Sequence, residues 1–212
     1  MKRKTTMILT TILCLSPILL GLYLYDRLPD MVPTHFNAQW EPDGWSSKPM
    51  AVFGLPCLMA GLNLLCHWGM GMAQKKDDRK VAPDVLLNLC YWIPAVISLV
   101  LFPMTLFMAV GKQLPMNLIM HLFLGLTFLF VGNYMPKCKM NGYIGIKIPW
   151  TYSSDENWRK THRLGGFVWV IAGIVILLNA FLNSEFLPLI AMFAAILIPC
   201  VYSYLIYREE KK

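Results

Sequence analysis

An all-α fold, a polytopic membrane helix bundle with six transmembrane helices and both termini in the cytoplasm, is predicted by three features of the 212-residue sequence. Hydrophobic residues account for 57% of it and charged residues for 15%, which is more apolar surface than one soluble core of this length can hide. The apolar residues collect in six runs, each near the roughly 20 residues that an α-helix needs to cross the hydrocarbon layer. Lys and Arg alternate between dense and sparse from one connection to the next, as they do when successive connections lie on opposite sides of a membrane. Lipid offers no partner to an open backbone group, and the runs lack the length and alternation of barrel strands, so each is expected to be a helix.

The first run, Thr5 to Tyr25, follows Lys2, Arg3 and Lys4, a pattern that also begins export signals. No small-x-small cleavage site follows; Tyr23, Tyr25, Asp26 and Arg27 stand there, and Leu13 precedes Cys14 where a lipoprotein signal carries a small residue. The run is therefore expected to stay as a span. Asp26 to Pro49 comes next, with four prolines, three aromatic residues and Asp43-Gly44 read as a turn, the composition of a rigid cap more than of a floppy linker. Met50 to Ala73 and Val85 to Val110 follow, with Lys75, Lys76, Arg79 and Lys80 between them. Gly111, Lys112 and Gln113 lead to Leu114 to Met135. Asn183, Ser184 and Glu185 separate Leu164 to Leu182 from Phe186 to Tyr207, so spans three and four, and five and six, are each expected to form an antiparallel hairpin. Pro17, Pro56, Pro94, Pro103 and Pro199 lie inside runs and are expected to kink them.

Sixteen Lys and Arg fall on the side of the amino terminus, against three, Arg27, Lys48 and Lys112, on the other. The imbalance places both termini inside and Asp26 to Pro49 outside. The net charge of +7 then reports topology and attraction to an anionic lipid bilayer, and argues poorly for direct contact with nucleic acid. Of the six cysteines, Cys14, Cys57, Cys66, Cys90 and Cys200 lie in runs and Cys138 in a connection, without any Cys-x-x-Cys pair. Small buried apolar side chains are expected there, and neither a disulfide framework nor a structural zinc.

The connection from 136 to 163 is the longest polar stretch in the second half, and it interleaves Lys137, Lys139, Lys147, Arg159, Lys160 and Arg163 with Trp150, Tyr152 and Trp158. In and around it, Asn133, Met135-Pro136-Lys137, Asn141, Gly145-Ile146, Pro149-Trp150-Thr151, Trp158, Thr161-His162 and Gly166 form a pattern that resembles the SdpI family of membrane immunity proteins. Leu28-Pro29, Val32-Pro33, His35-Phe36-Asn37 and Asp43-Gly44 resemble the amino-terminal domain of unknown function that often accompanies that family. Tyr152-Ser153-Ser154-Asp155 is more polar than the family pattern. The resemblance covers nearly the whole chain and divides it into residues 1–82, the first two spans with the structured loop 26–49, and residues 83–212, a four-helix region with the signature loop 136–163. It implies a non-enzymatic, multi-pass protein of the cytoplasmic membrane of a Gram-positive bacterium. Such a protein guards the producing cell against a secreted membrane-active peptide toxin and, in the best-known case, captures a small autorepressor, of the winged-helix kind, at the membrane.

Four residues of the outside loop, His35, Asn37, Trp40 and Asp43, are the candidate ligand contacts. His35 near Glu41 and Asp43 also raises a metal or acid–base reading, but the spacing fits no framework such as His-Glu-x-x-His, so no metal, cofactor or catalytic residue is assigned. In the signature loop the candidates are Asn133, Pro136, Lys137, Asn141, Gly145, Pro149, Trp150, Thr151, Trp158, Thr161 and His162. His162 is expected where the fifth span begins, on the same face as Trp158. With Trp150 and the nearby Lys147, Arg159 and Lys160, these two would form a docking surface for an acidic partner or, equally, for anionic lipid. Within the runs, Asn63, His67, Asn88, His121, Asn133 and Asn179 must find partners, because an unpaired polar group in hydrocarbon is costly. Asn63 and His67, four apart, share one helix face. A polar passage through the bundle, for which Asn63, His67, Asn88 and His121 are the candidates, would make the chain a small transporter or exporter, the alternative reading; against a proton-driven one, the runs hold no Asp or Glu to couple transport.

Overall fold

The computed structural model of the chain describes residues 3–37, 41–76, 84–142 and 144–212. Among these, six helical segments are long and apolar enough to cross a membrane: Arg3–Arg27, Met50–Met72, Val85–Ala109, Met116–Lys137, Asp155–Leu182 and Phe186–Glu210. The chain divides into two compact units, Met1–Met72 with Leu87–Pro115 and Ala73–Leu86 with Met116–Lys212.

The first span of the first unit is two helices, α1 (Arg3–Leu15) and α2 (Pro17–Leu24), closed by a tight turn at Tyr25–Arg27. Pro17 brings no N–H to the ladder, so the helix breaks at Ser16, whose hydroxyl donates to the Leu13 carbonyl at 2.8 Å. After it, the segment expected to be an irregular cap is an antiparallel hairpin, β1 (Met31–Phe36) with β2 (Pro42–Ser47). The turn read at Asp43-Gly44 is not there. Both residues lie in β2, where Gly44 stands opposite His35 and a Cβ on it would come within 2.9 Å of the His35 Cβ, so this glycine serves close strand approach. The strands are joined instead through Asn37 and Glu41: the Glu41 N–H donates to Asn37 Oδ1, and the Asn37 N–H to the Glu41 carbonyl, each at 2.9 Å.

α3 (Leu55–Lys76) is entered through a wide turn at Met50–Gly54, in which the Leu55 N–H reaches the Met50 carbonyl. Pro56 follows at once and has no N–H for the regular pattern, which accounts for a widened turn at this position. α4 (Asp84–Ala109) carries Pro94 and Pro103 within its length. Its Ser98 hydroxyl donates to the Cys14 carbonyl of α1 at 2.7 Å and its Tyr91 ring stacks on His67 of α3. α4 therefore packs in the first unit. Leu24, Leu28, Val32, Ala51, Val52 and Leu106 form a buried cluster at the hairpin end, and Cys14, Ala60 and Ala95 a second one among the helices.

The second unit holds α5 (Met116–Tyr134), α6 (Asp155–Leu182) and α7 (Phe186–Glu210), with α6 packed against both others. Lipid tails are as apolar as leucine, so helices gain little by hiding leucine from them and associate through small residues that let backbones approach. Gly125 and Gly132 on α5 meet Gly173 and Gly166 on α6 in antiparallel order; a Cβ on Gly132 would lie 2.8 Å from the Gly166 carbonyl oxygen, and one on Gly173 2.8 Å from that of Gly125. α6 and α7 form the expected hairpin. Asn183 ends α6 in a left-handed conformation at φ 53°, its N–H bound to the Asn179 carbonyl at 2.9 Å. The two helices are also pinned by Trp169 Nε1, which donates to the Ala195 carbonyl at 2.9 Å.

The expectation that the cysteines are buried holds for Cys14 and Cys138 but not for Cys57 and Cys66, which are exposed along α3. A cysteine in a lipid-facing row needs no protein cover, since the hydrocarbon solvates its weakly polar thiol.

Candidate functional site

The signature loop folds onto the beginning of α6, and that helix starts at Asp155, well before the expected Leu164. Ser154 caps it by accepting the Asn157 N–H at 2.9 Å, and Asp155 and Glu156 occupy the first turn, where negative charge suits the helix dipole. Trp158, Thr161 and His162 are thus carried on a helix that runs beneath the loop.

His162 is fully buried and stacks on Trp158, ring centroids 4.1 Å apart. The Ile146 N–H donates to its Nε2 at 2.9 Å, and its Nδ1 lies 2.8 Å from the Trp158 carbonyl. A backbone N–H can only donate, so Nε2 is the acceptor and the ring proton is on Nδ1: the histidine is neutral, with both nitrogens used. Gly145, at φ 124°, brings the loop over that ring, and a Cβ there would collide with Nε2. Trp158 Nε1 donates to the Cys138 carbonyl at 2.9 Å. Asn141 accepts the Ile144 N–H on Oδ1 at 2.8 Å and donates to the Ile144 and Lys139 carbonyls, while the Tyr152 hydroxyl donates to the Asn141 carbonyl at 2.9 Å. Partial burial pushes the Tyr152 phenol pKa up. Buried Thr151 accepts from the Ile148 N–H and points its single proton between the Ile146 and Ile148 carbonyls.

Sequence reasoning passed over Asn157, which organises the same end of the unit. Its buried amide accepts the Thr161 and Ser203 hydroxyls on Oδ1 and donates to the Ser203 carbonyl and Ser153 hydroxyl, tying the loop and α6 to α7. The Glu210 carboxylate of α7 takes the Ser153 and Ser154 hydroxyls, and Trp150 meets Tyr204 edge-on at 5.1 Å. Ser-Asp-Glu ahead of an apolar run is a helix-start signal, and it was available in the sequence.

The expected loop residues therefore separate. Asn141, Thr151, Trp158, Thr161 and His162 are buried and hold the loop closed, whereas Asn133, Pro136, Lys137, Gly145 and Pro149 face outward and Trp150 is half-buried. A partner could touch the second group but not the ring faces of Trp158 and His162, which are spent on each other.

On the hairpin, His35 Nδ1 and Asp43 Oδ1 meet at 2.5 Å on an exposed face, and Asn37 is spent on the turn. Trp40 lies outside the described residues. Exposed Met31 and Trp45 share the hairpin with that hydrogen-bonded pair. Among the described residues, no three His, Cys, Asp or Glu converge as a metal site would require.

The fold defines a multi-pass helical membrane protein with an ordered hairpin at one unit and a self-bonded polar loop at the other. The model of the SdpI/YfhL protein family matches residues 137–203, and that of a domain of unknown function, DUF1648, matches residues 12–60. The two matches follow each other along the chain, DUF1648 ahead of the SdpI/YfhL region. It is 27% identical over 209 residues to the immunity protein SdpI of Bacillus subtilis (strain 168), across 99% of this chain and 97% of that protein. No solved structure matches it.

Proposed function

We propose that this chain is a non-enzymatic integral membrane immunity protein that protects its cell against a secreted membrane-active peptide, with the hairpin outside and both termini in the cytoplasm. The likeness to an immunity protein along nearly the whole chain carries the reading. The uneven distribution of Lys and Arg supports the orientation. Paired His35 and Asp43 share the hairpin with exposed Met31 and Trp45, a combination of polar and apolar area that suits an amphipathic peptide leaving the membrane surface, and Asn37 and Trp40 of the same loop are the other contacts proposed. On the opposite side, Lys137, Lys147, Arg159 and Lys160 make a basic outer rim on the closed loop, matched to an acidic patch on a winged-helix autorepressor or to anionic lipid. Signalling by capture requires the toxin to favour one of two arrangements of the bundle, and the repressor to prefer the same one.

Deletion of the chain should sensitise the producing strain to the peptide it secretes, and the wild-type chain should restore growth. A version carrying His35→Ala with Asp43→Asn should reach the membrane in equal amount and restore growth poorly. Full protection by that version would remove the hairpin as the contact, and absence of sensitisation on deletion would remove immunity itself.

A further inference from the structure

Three histidines are buried among the described helices, and one of them is bonded unlike the other two. His121 matches His162: its Nδ1 faces the Asn117 carbonyl at 2.7 Å and its Nε2 faces Asn179 Nδ2 at 3.0 Å. The Ser184 N–H fixes Asn179 Oδ1, so the amide presents its NH2 to the ring and Nε2 must accept. For both residues, a second ring proton would land on a nitrogen already receiving a hydrogen bond and would break it.

His67 on α3 is arranged the other way round. Thr10 and Thr11 on α1 donate to the Thr6 and Met7 carbonyls one turn back, at 2.9 and 2.8 Å, so towards α3 both hydroxyls can only accept. The Asn63 amide accordingly turns its NH2 to them, at 3.1 and 2.9 Å, and His67 Nε2, 3.1 Å from Thr10 Oγ1, carries the ring proton. Two acceptors are left over, Asn63 Oδ1 and His67 Nδ1, both buried and both without a partner. They sit one turn apart on the same face of α3, where side chains meet. Leaving a buried acceptor unpaired is costly, and more so in a membrane interior without water.

We propose that Asn63 and His67 form a binding site for a single proton within the first unit. A proton on Nδ1 gives the ring a second donor on the face it shares with Asn63 Oδ1, which a turn of the two side chains would bring together, and Nε2 keeps its bond to Thr10, so charging the ring breaks no hydrogen bond it already makes. The other groups around it are Tyr91 from α4, whose ring lies parallel to the imidazole at 4.3 Å and offers its π-face to the cation, and Arg3 from α1, whose guanidinium donates to the His67 carbonyl at 2.6 Å. Arg3 opposes a second positive charge, which makes occupancy of the site and the position of the amino terminus mutually dependent. A Cβ on Gly71 would collide with that guanidinium, so α3 has a gap at the place where Arg3 rests.

The test is a pH titration of the full-length chain in lipid nanodiscs with 15N-labelled histidine, from about pH 8 to about pH 5, where histidine ordinarily changes charge. His67 should begin with its proton on Nε2 and a bare Nδ1, the reverse of His121 and His162, and should gain its second proton before His162 does. Asn63→Leu should move that transition acidward by about one pH unit or more, about a tenfold loss of proton affinity. A proton on Nδ1 of His67 at the start, or charging of His162 first, overturns the proposal. So does an unmoved midpoint in Asn63→Leu. The wild-type titration decides alone if that variant does not fold.

Discussion

His162 and Gly145 lie against each other in the signature loop, and each constrains the other. Replacing His162 by Ala strands the Ile146 N–H and removes the stack on Trp158, at a cost of roughly 1–3 kcal/mol for the unpaired donor. Gly145→Ala meets both an unfavourable backbone at φ 124°, worth roughly 1–3 kcal/mol, and the His162 ring itself. Because the methyl in Gly145→Ala has room only when the ring is gone, the double variant should lose less than the sum of the two single losses. Thermal unfolding in detergent, together with protease nicking near residue 147, would measure all three variants, and strict additivity would show that the two residues do not touch. The motif residues were visible in the sequence as a recurring pattern, but not their division into those that hold the loop shut and those that face outward. That division depends on where α6 begins. Polar loop residues look alike until a helix start at Ser154 puts Trp158 and His162 underneath and Arg159 and Lys160 on top.

At the scale of elements, the glycines of the helices fall into two kinds that composition cannot tell apart. Gly125, Gly132, Gly166 and Gly173 lie where α5 and α6 approach backbone to backbone, and an added Cβ at any of them would come within 2.6–2.9 Å of a neighbouring main-chain oxygen. At Gly61 and Gly69 on α3, nothing beyond the adjoining backbone of the helix itself lies within 4 Å of that position. Alanine at Gly132 or Gly166 should therefore push the helix pair apart and lower the melting temperature. At Gly61 or Gly69 it should be neutral or raise it, since alanine is favoured over glycine inside a helix by about 1 kcal/mol. A uniform response at all of these positions would mean that the glycine contact does not hold the pair. The six spans themselves were legible because crossing a membrane demands long unbroken apolar runs, which are hard to produce for any other reason. The β-hairpin was not, because its strands are short, carry Pro33 and Pro42, and place Asp43-Gly44, a common turn pair, within β2.

For the molecule as a whole, orientation decides whether the hairpin and the closed loop can have the tasks proposed for them. A hairpin in the cytoplasm could not meet a peptide arriving from outside, and a loop facing outward could not meet a soluble repressor. The physical ground for the orientation is charge: sixteen Lys and Arg stand on the connections assigned to the inside and three on the others, and moving so many cations across the bilayer is opposed by their hydration and by the membrane potential. Trp45 on β2 and Lys147 in the signature loop are both exposed, so cysteine can be placed at either without disturbing a buried contact. In a background where the six native cysteines are replaced by serine or alanine, Trp45→Cys should react with a membrane-impermeant maleimide on intact cells. Lys147→Cys should react only after the membrane is opened. The opposite pattern would invert the bundle and dismiss hairpin and loop together from their proposed roles, while leaving the proton site on α3 untouched, because that site rests on bonds inside one unit and not on which side of the membrane faces the cell.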